Sequence, residues 1–145
     1  MRVSAGRIAE RFHTLLRPPR RDFLFTYIHG ISWKDVEKAP TFAAVFPQLS
    51  RFMAGAEFLA AHNAPFDKGV LNACCDAAGA PRPRLPFFCT LKTARGLWKM
   101  KPANLPSVCA RLGIDLKHHS ALSDAEACAK IVLAAMKEEA FTGVA

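Results

Sequence analysis

Two aspartates in this sequence share the same local setting, which suggests that they act together. Asp67 follows His62 by five positions, and Asp124 follows His119 by five positions. Each aspartate lies where a helical pattern begins. A carboxylate at a helix start commonly has a structural explanation, because the exposed N–H groups and the helix dipole stabilise it. The repeated histidine-to-aspartate spacing favours a shared chemical role instead.

Carboxylates that come together from separate elements are typical of sites that hold two Mg²⁺ or Mn²⁺ ions for phosphoryl transfer. Two such ions, about 4 Å apart, flank a scissile phosphate, so that one activates water and the other stabilises the leaving oxygen. These hard cations prefer oxygen ligands, which makes Asp67 and Asp124 the candidate metal ligands. His119 is the candidate base, because the unperturbed pKa of histidine lies close to neutral pH.

The elements that must position these residues alternate between short apolar runs and helical patterns, which indicates an α/β domain. Strands are predicted between Gly6 and Pro18, and at 56–61 and 85–90. Pro47 is expected to kink or break its helix, and Phe66 is expected to face the core. Helices are predicted at about 33–39, 41–53, 66–78, 90–98, 104–112 and 123–137.

Length and composition are typical of one globular domain. The 145 residues are 51% hydrophobic, and no apolar run approaches the roughly 20 residues that a membrane span requires. The N-terminus lacks the pattern of a secretory signal, and the five cysteines form no C-x-x-C pair. We therefore expect a cytoplasmic protein without a membrane partner, in which the cysteines are small core residues.

The chain is strongly basic. Twenty Lys and Arg residues against twelve Asp and Glu residues give a formal net charge of +8. This balance favours a polyanionic partner such as nucleic acid. A solvated surface that only keeps the protein soluble would give the same composition, so charge alone does not decide between the two.

The stretches HNAPFD and HHSALSDA resemble the second and third signature motifs of the DEDDh 3'-to-5' exonucleases, the group that contains the epsilon subunit of bacterial DNA polymerase III. The segments IHGIS, CTLKTAR and LPSVCARLGI are also similar to the family, so the resemblance covers most of the chain. It implies a ribonuclease-H-like exonuclease fold, in which helices flank a mixed sheet. It also implies a metal-dependent enzyme that hydrolyses terminal phosphodiesters of DNA or RNA.

The resemblance assigns roles to particular residues. It implies that Asp67 and Asp124 bind Mg²⁺ or Mn²⁺ and that His119 is the catalytic base. His62 and Asn63 would contact the terminal nucleotide, with hydrogen bonding within the loop as the alternative. The implied partners are a nucleic acid with a free 3' end and a DNA polymerase subunit.

The family's first motif, a D-x-E on an N-terminal strand, has no counterpart at the start of this sequence. We therefore expect a single exonuclease-like domain over 1–145 that is N-terminally incomplete, missing its first strand and most of its second. One literal D-x-E occurs, Asp35-Val36-Glu37, but it falls in a short polar helix downstream of the expected place. With two carboxylates instead of four, metal affinity is expected to fall, and the 145-residue chain is expected to be inactive.

Two other interpretations stay open at this point. The chain could be a non-catalytic module of the same fold that binds nucleic acid or a polymerase, or a remnant that folds poorly. Without the first strand, the apolar strand at 56–61 would present an unpaired edge, which predicts self-association through that edge.

Overall fold

The computed structural model describes residues 1–22, 26–117 and 120–138, and these residues form short strands and seven helices. Within these ranges, no helix is both long enough and apolar enough to cross a membrane. In chain order the elements are β1 Arg2–Ser4, β2 Arg7–Glu10, α1 Thr26–His29, α2 Trp33–Val36, α3 Phe42–Met53, β3 Leu59–Ala61, α4 Ala64–Ala77, β4 Phe87–Cys89, α5 Thr90–Leu97, α6 Leu105–Leu112 and α7 Ala121–Ala135.

The four strands of the described residues form two pairs. β1 and β2 are antiparallel and join through Ala5 and Gly6, which both have positive φ, as a tight hairpin turn requires. β3 and β4 are parallel, with Leu59 opposite Phe87 and Ala61 opposite Cys89. In the part of the chain that the structure describes, neither pair is hydrogen-bonded to the other.

Helices flank both strand pairs, so the predicted α/β class is confirmed. α7 packs against β2 and β3, and α4 packs against β3 and β4. The strand predicted between Gly6 and Pro18 is shorter than expected, because β2 ends at Glu10 and residues 11–18 have no regular structure.

Most helices begin and end where local sequence signals indicate. The Thr41 side chain accepts a hydrogen bond from the N–H of Ala44 at the start of α3, and Gly113 with φ of +65° follows α6. Of the kink or break predicted at Pro47, the break is wrong, because α3 continues through Pro47 to Met53. α4 begins two residues earlier than predicted, since Pro65 is well tolerated in a first turn.

The main apolar cluster lies where α5, α6 and α7 meet. Its most buried members come from these helices and from the loop before α6, and larger half-buried side chains pack around them. The fully buried members are Ala94, Ala103, Val108 and Ile131, and the surrounding residues include Trp98, Met100, Leu105, Leu112 and Ile114. This cluster packs α7 against α5 and α6, and thereby supports the helix that carries Asp124.

Candidate active site

The starts of α4 and α5 meet at one edge of the β3–β4 pair. Because β3 and β4 are parallel, the helices that follow them begin at the same, carboxyl edge. Desolvation acts to raise the pKa of the Cys89 thiol, but backbone N–H groups at the two helix starts outweigh it and lower that pKa. Those N–H groups belong to Lys92, Ala64, Asn63 and Leu91. Two helix N-termini therefore make this spot favourable for an anion.

Asn63 occupies the turn between β3 and α4. Its backbone has φ of 75° and ψ of 49°, the left-handed conformation that asparagine tolerates better than most residues. Its carbonyl accepts a hydrogen bond from the N–H of Phe66, while its side chain makes no cap and is exposed. The Asn63 amide is therefore free to contact a ligand.

Asp67 lies in the first turn of α4 with part of its surface open to solvent. Desolvation by the surrounding protein raises the pKa of its carboxyl group, and a hydrogen bond with its own backbone N–H partly opposes that rise. A carboxylate that is partly shielded from water but still accessible is suited to binding a cation, because it gains more from the cation than a fully hydrated carboxylate does.

His62 joins three parts of the chain through its two ring nitrogens. Nδ1 lies 2.9 Å from the hydroxyl of Thr90, and Nε2 lies 3.0 Å from the carbonyl oxygen of Ala103. Since a carbonyl only accepts, Nε2 carries the proton and Nδ1 accepts from Thr90. Burial lowers the pKa of His62, which favours this neutral form. The ring nitrogens are thus both used within the protein.

Thr90 extends this hydrogen-bonded chain to α7. Its side chain is fully buried, and its hydroxyl lies 3.4 Å from the sulfur of Cys128. Burial raises the pKa of Cys128 to about 11; its hydrogen bond with Thr90 opposes that rise, and the charge of Asp67 adds to it. Asp67 therefore acts electrostatically on a residue that lies one helical turn beyond Asp124.

Asp124 lies in the first turn of α7 and is half-buried. Its backbone N–H bonds to the carbonyl of Ser120, and the Ser120 side chain caps the helix by accepting from the N–H of Ser123. His119, the predicted base, lies outside the described residues. The two aspartates thus lie at the starts of helices that both pack against β3. The His62–Thr90–Cys128 chain connects the turn before α4 with the start of α5 and with α7.

The donor set suits hard divalent cations in type but is incomplete in number. Asp67 and Asp124 offer carboxylate oxygens, which Mg²⁺ and Mn²⁺ prefer. Within 1–22, 26–117 and 120–138, however, no three His, Cys, Asp or Glu side chains form a cluster that could hold a metal ion. These residues would bind such an ion only weakly unless further ligands join them.

The literal D-x-E has a structural role. One carboxylate oxygen of Asp35 accepts from the backbone N–H of Ser32 at 2.7 Å and from the Ser32 hydroxyl at 2.6 Å. The hydrogen bond from the Ser32 side chain is the main cause of the lowered pKa of Asp35. Asp35 therefore stabilises the start of α2.

Two features of the site differ from what the sequence suggests. Phe66 does not face the core, because 68% of its surface is exposed, and this places an accessible aromatic ring beside Asp67. Thr90 has no signal in the sequence, because its partners His62 and Ala103 lie far away along the chain and only the fold brings them together.

Comparisons with known proteins identify the family of this chain. The family model described as "Exonuclease", RNase_T, matches residues 1–132. The chain is 33% identical over 142 residues to the PolC-type DNA polymerase III of Bacillus cereus, covering 95% of this chain and 10% of that protein. It is 34% identical over 131 residues to the epsilon subunit of Escherichia coli DNA polymerase III, covering 85% of this chain and 54% of that protein. The chain thus spans a small part of the first and about half of the second.

Solved structures show the same fold. Exonuclease X, in complex with 5' overhanging duplex DNA, superposes with a TM-score of 0.74 at 25% identity, covering 99% of this chain and 84% of that one. The nuclease domain of 3'hExo, a DEDDh family member, superposes with a TM-score of 0.75 at 19% identity, covering 90% of this chain and 73% of that one. With the family model matching nearly the whole sequence, the chain belongs to the RNase_T exonuclease family, and its fold is that of the ribonuclease-H-like exonucleases.

Proposed function

We propose that this protein is a metal-dependent 3'-to-5' exonuclease of the DEDDh type that acts on DNA or RNA. The observation that carries this proposal is the position of Asp67. It lies in the first turn of α4, partly shielded from water, beside two converging helix N-termini that favour an anion such as phosphate.

Each site residue has a part in the proposed reaction. Asp67 and Asp124 hold Mg²⁺ or Mn²⁺, which would activate water and stabilise the leaving oxygen. His119 accepts a proton from the attacking water. The exposed amide of Asn63 contacts the terminal nucleotide, while His62, whose nitrogens bond to Thr90 and Ala103, borders that nucleotide through its ring carbons.

The relatives support the choice of substrate and partner. The E. coli relative is a subunit of DNA polymerase III, and Exonuclease X was solved with duplex DNA. We therefore propose a strand with a free 3' end as the substrate and a DNA polymerase as a partner. All five cysteines are free thiols, in keeping with the cytoplasmic location that we propose.

A second candidate function is a non-catalytic module that binds nucleic acid or a polymerase. It is favoured by the small number of carboxylates at the site, since the described residues provide Asp67 and Asp124 without a third cluster member. On this proposal the 145-residue chain binds a 3' end but hydrolyses it slowly or not at all, because metal affinity depends on ligand charge.

The experiment that separates these functions compares oligonucleotides labelled at either end. An exonuclease of this type releases labelled mononucleotide at once from a 3'-labelled strand, and the rate rises as Mn²⁺ increases through the millimolar range. His119→Ala should lower that rate roughly a hundredfold or more. Asp115→Asn, an exposed aspartate after α6, is the matched control and should leave it unchanged. Binding without release at any Mn²⁺ concentration would favour the non-catalytic module.

A further inference from the structure

An open groove of about 770 Å³ lies between residues 17–21, the corner where α2 leads into α3, and the last turn of α4. Trp33 and Phe42 provide aromatic surface in it. Three cationic side chains line it and are exposed, namely Arg17, Arg21 and Lys38. We call this feature the basic groove.

The cations of the basic groove are not neutralised by their neighbours. Among the described residues, Arg17, Arg21 and Lys38 form no ion pair, and Glu37 is the single carboxylate in the lining. The positive charge is therefore available to an anionic ligand.

Two of the cationic residues are held in place. The guanidinium carbon of Arg21 lies 5.0 Å from the centroid of the Trp33 ring, within the range of a cation–π contact. The backbone N–H of Arg17 donates to the carbonyl of Pro40 at 2.9 Å, which fixes the segment against the α2–α3 corner. Less conformational entropy is then lost when a ligand binds.

One stripe of α4 connects the basic groove with the candidate active site. Asp67, Val70, Cys74 and Ala78 follow at the spacing of one helix face, and Cys74 and Ala78 line the groove. Val70 between them is 49% exposed. At 1.5 Å per residue, the groove begins about 10 Å from Asp67 and extends to about 16 Å along the helix.

We propose that the basic groove binds the single-stranded segment of the substrate that lies on the 5' side of the terminal nucleotide. This inference rests on the proposed function, because it takes Asp67 as the position of the 3' end. A distance of about 16 Å corresponds to roughly four to five nucleotides at the spacing of stacked bases. Cationic side chains together with aromatic surface are typical of sites that bind single strands without sequence preference.

The test measures the anisotropy of labelled oligothymidylates in EDTA, so that cleavage and metal binding play no part. Affinity should increase sharply between strands of roughly three and roughly eight nucleotides, as the strand becomes long enough to reach the groove. The double variant Arg21→Glu with Lys38→Glu should remove this increase and weaken binding of the longer strand roughly tenfold or more. Arg17 is left intact because its guanidinium also donates to the backbone carbonyl of Glu37, so replacing it would change a contact within the α2–α3 corner as well as the charge.

The matched control is Arg51→Glu with Arg111→Glu, which changes the net charge equally at exposed positions outside the groove. An equal loss of affinity in both double variants would overturn the proposal, because it would reflect total charge alone. The proposal would also be overturned if polyglutamate of the same charge bound as tightly as the oligothymidylate, because the groove would then be a surface for acidic proteins. Asp67→Asn should abolish cleavage but leave the dependence of affinity on strand length intact. A protein that does not cleave but shows this dependence would contradict the proposed nuclease function alone, whereas loss of the dependence would contradict the groove proposal.

Discussion

At the scale of single residues, His62 connects more parts of the candidate site than the other residues described there. Its two ring nitrogens tie the loop that carries Asn63 to Thr90 on α5 and to Ala103 in the buried cluster. Thr90 and Ala103 are both buried, so neither can exchange its bond to His62 for a bond to water. The position of Asp67, five residues later, therefore depends on this histidine.

Replacing His62 with alanine should destabilise the protein by about 1–3 kcal/mol, because it removes the partner of the buried Ala103 carbonyl and one of the hydrogen bonds of the buried Thr90 hydroxyl. Urea unfolding of the wild type and the variant measures this difference. His13→Ala, an exposed histidine, is the control and should change the free energy of unfolding by no more than about 0.5 kcal/mol. Equal effects of the two substitutions would show that His62 has no such structural role.

His62 should also make the free energy of unfolding depend on pH. Burial lowers the pKa of His62 below the ordinary value of 6.5, so the unfolded chain takes up a proton that the folded chain does not. The free energy of unfolding contributed by His62 is therefore fully present above about pH 6.5 and is lost as pH falls toward the folded pKa. Subtracting the free energy of unfolding of His62→Gln from that of the wild type at several pH values isolates the contribution of His62. A difference that grows as the pH falls would contradict it.

At the scale of elements, the helix starts position the site, and several of them are capped by side chains. Asn104 is one example, because its Oδ1 accepts a hydrogen bond from the N–H of Ser107 at 2.9 Å at the start of α6. α6 packs against α7, which carries Asp124. Removing the Asn104 cap should therefore weaken the packing that holds α7 and Asp124 in place.

Asn104→Ala should lower the free energy of unfolding by about 1 kcal/mol, the usual cost of removing an N-cap. Thermal or urea unfolding measures it. Asn72→Ala in the interior of α4 is the matched control, and it should be neutral or slightly stabilising, because alanine has the higher helix propensity. Destabilisation of the same size in both variants would mean that the hydrogen bond of Asn104 contributes nothing.

The sequence predicts a helix correctly where the residues that start and end it lie within or beside that helix. Thr41 and Gly113 act within their own helices, so their patterns indicate α3 and α6 correctly. The sequence predicts a kink or break at Pro47, yet α3 has no break there, because a helix can continue through a proline when its other hydrogen bonds and its packing hold it. The periodicity predicts α4 correctly, yet Phe66 is exposed, because a pattern shows which residues are apolar and not what covers them.

The site was predictable only in part for the same reason. The spacing of His62 and Asp67 lies within one loop and one helix turn, so it was visible in the sequence. The bond between His62 and Thr90 spans 28 positions, and the one to Ala103 spans 41, so both depend on the parallel pairing of β3 with β4. No local pattern encodes such contacts.

At the scale of the whole molecule, the parallel strand pair has an edge that the described residues leave unpaired. β3 pairs with β4 alone in these residues, and its sequence Leu59-Ala60-Ala61 is apolar. Apolar strand edges are prone to pair with another chain. We therefore predict that the chain self-associates through β3 as its concentration rises.

Sedimentation velocity over a range of concentrations tests this prediction. Ala60→Lys adds a charge at an exposed position of β3 and should shift the association to higher concentration. Ala110→Lys, an exposed alanine on α6, adds the same charge elsewhere and should leave the association unchanged. Identical behaviour of both variants and the wild type would mean that the β3 edge is not an interface.

If the proposed function is correct, Asp67 and Asp124 bind the same divalent cations, and Mn²⁺ titration followed by electron paramagnetic resonance measures this binding. The measurement compares the wild type with Asp67→Asn, Asp124→Asn and the double variant, with Asp35→Asn as a control that alters only a helix cap. If the two aspartates share the ions, either single substitution should remove most of the Mn²⁺ binding, and the double substitution should add little more. Independent, additive losses, or Mn²⁺ binding that none of the substitutions changes, would show that the two aspartates do not share the ions.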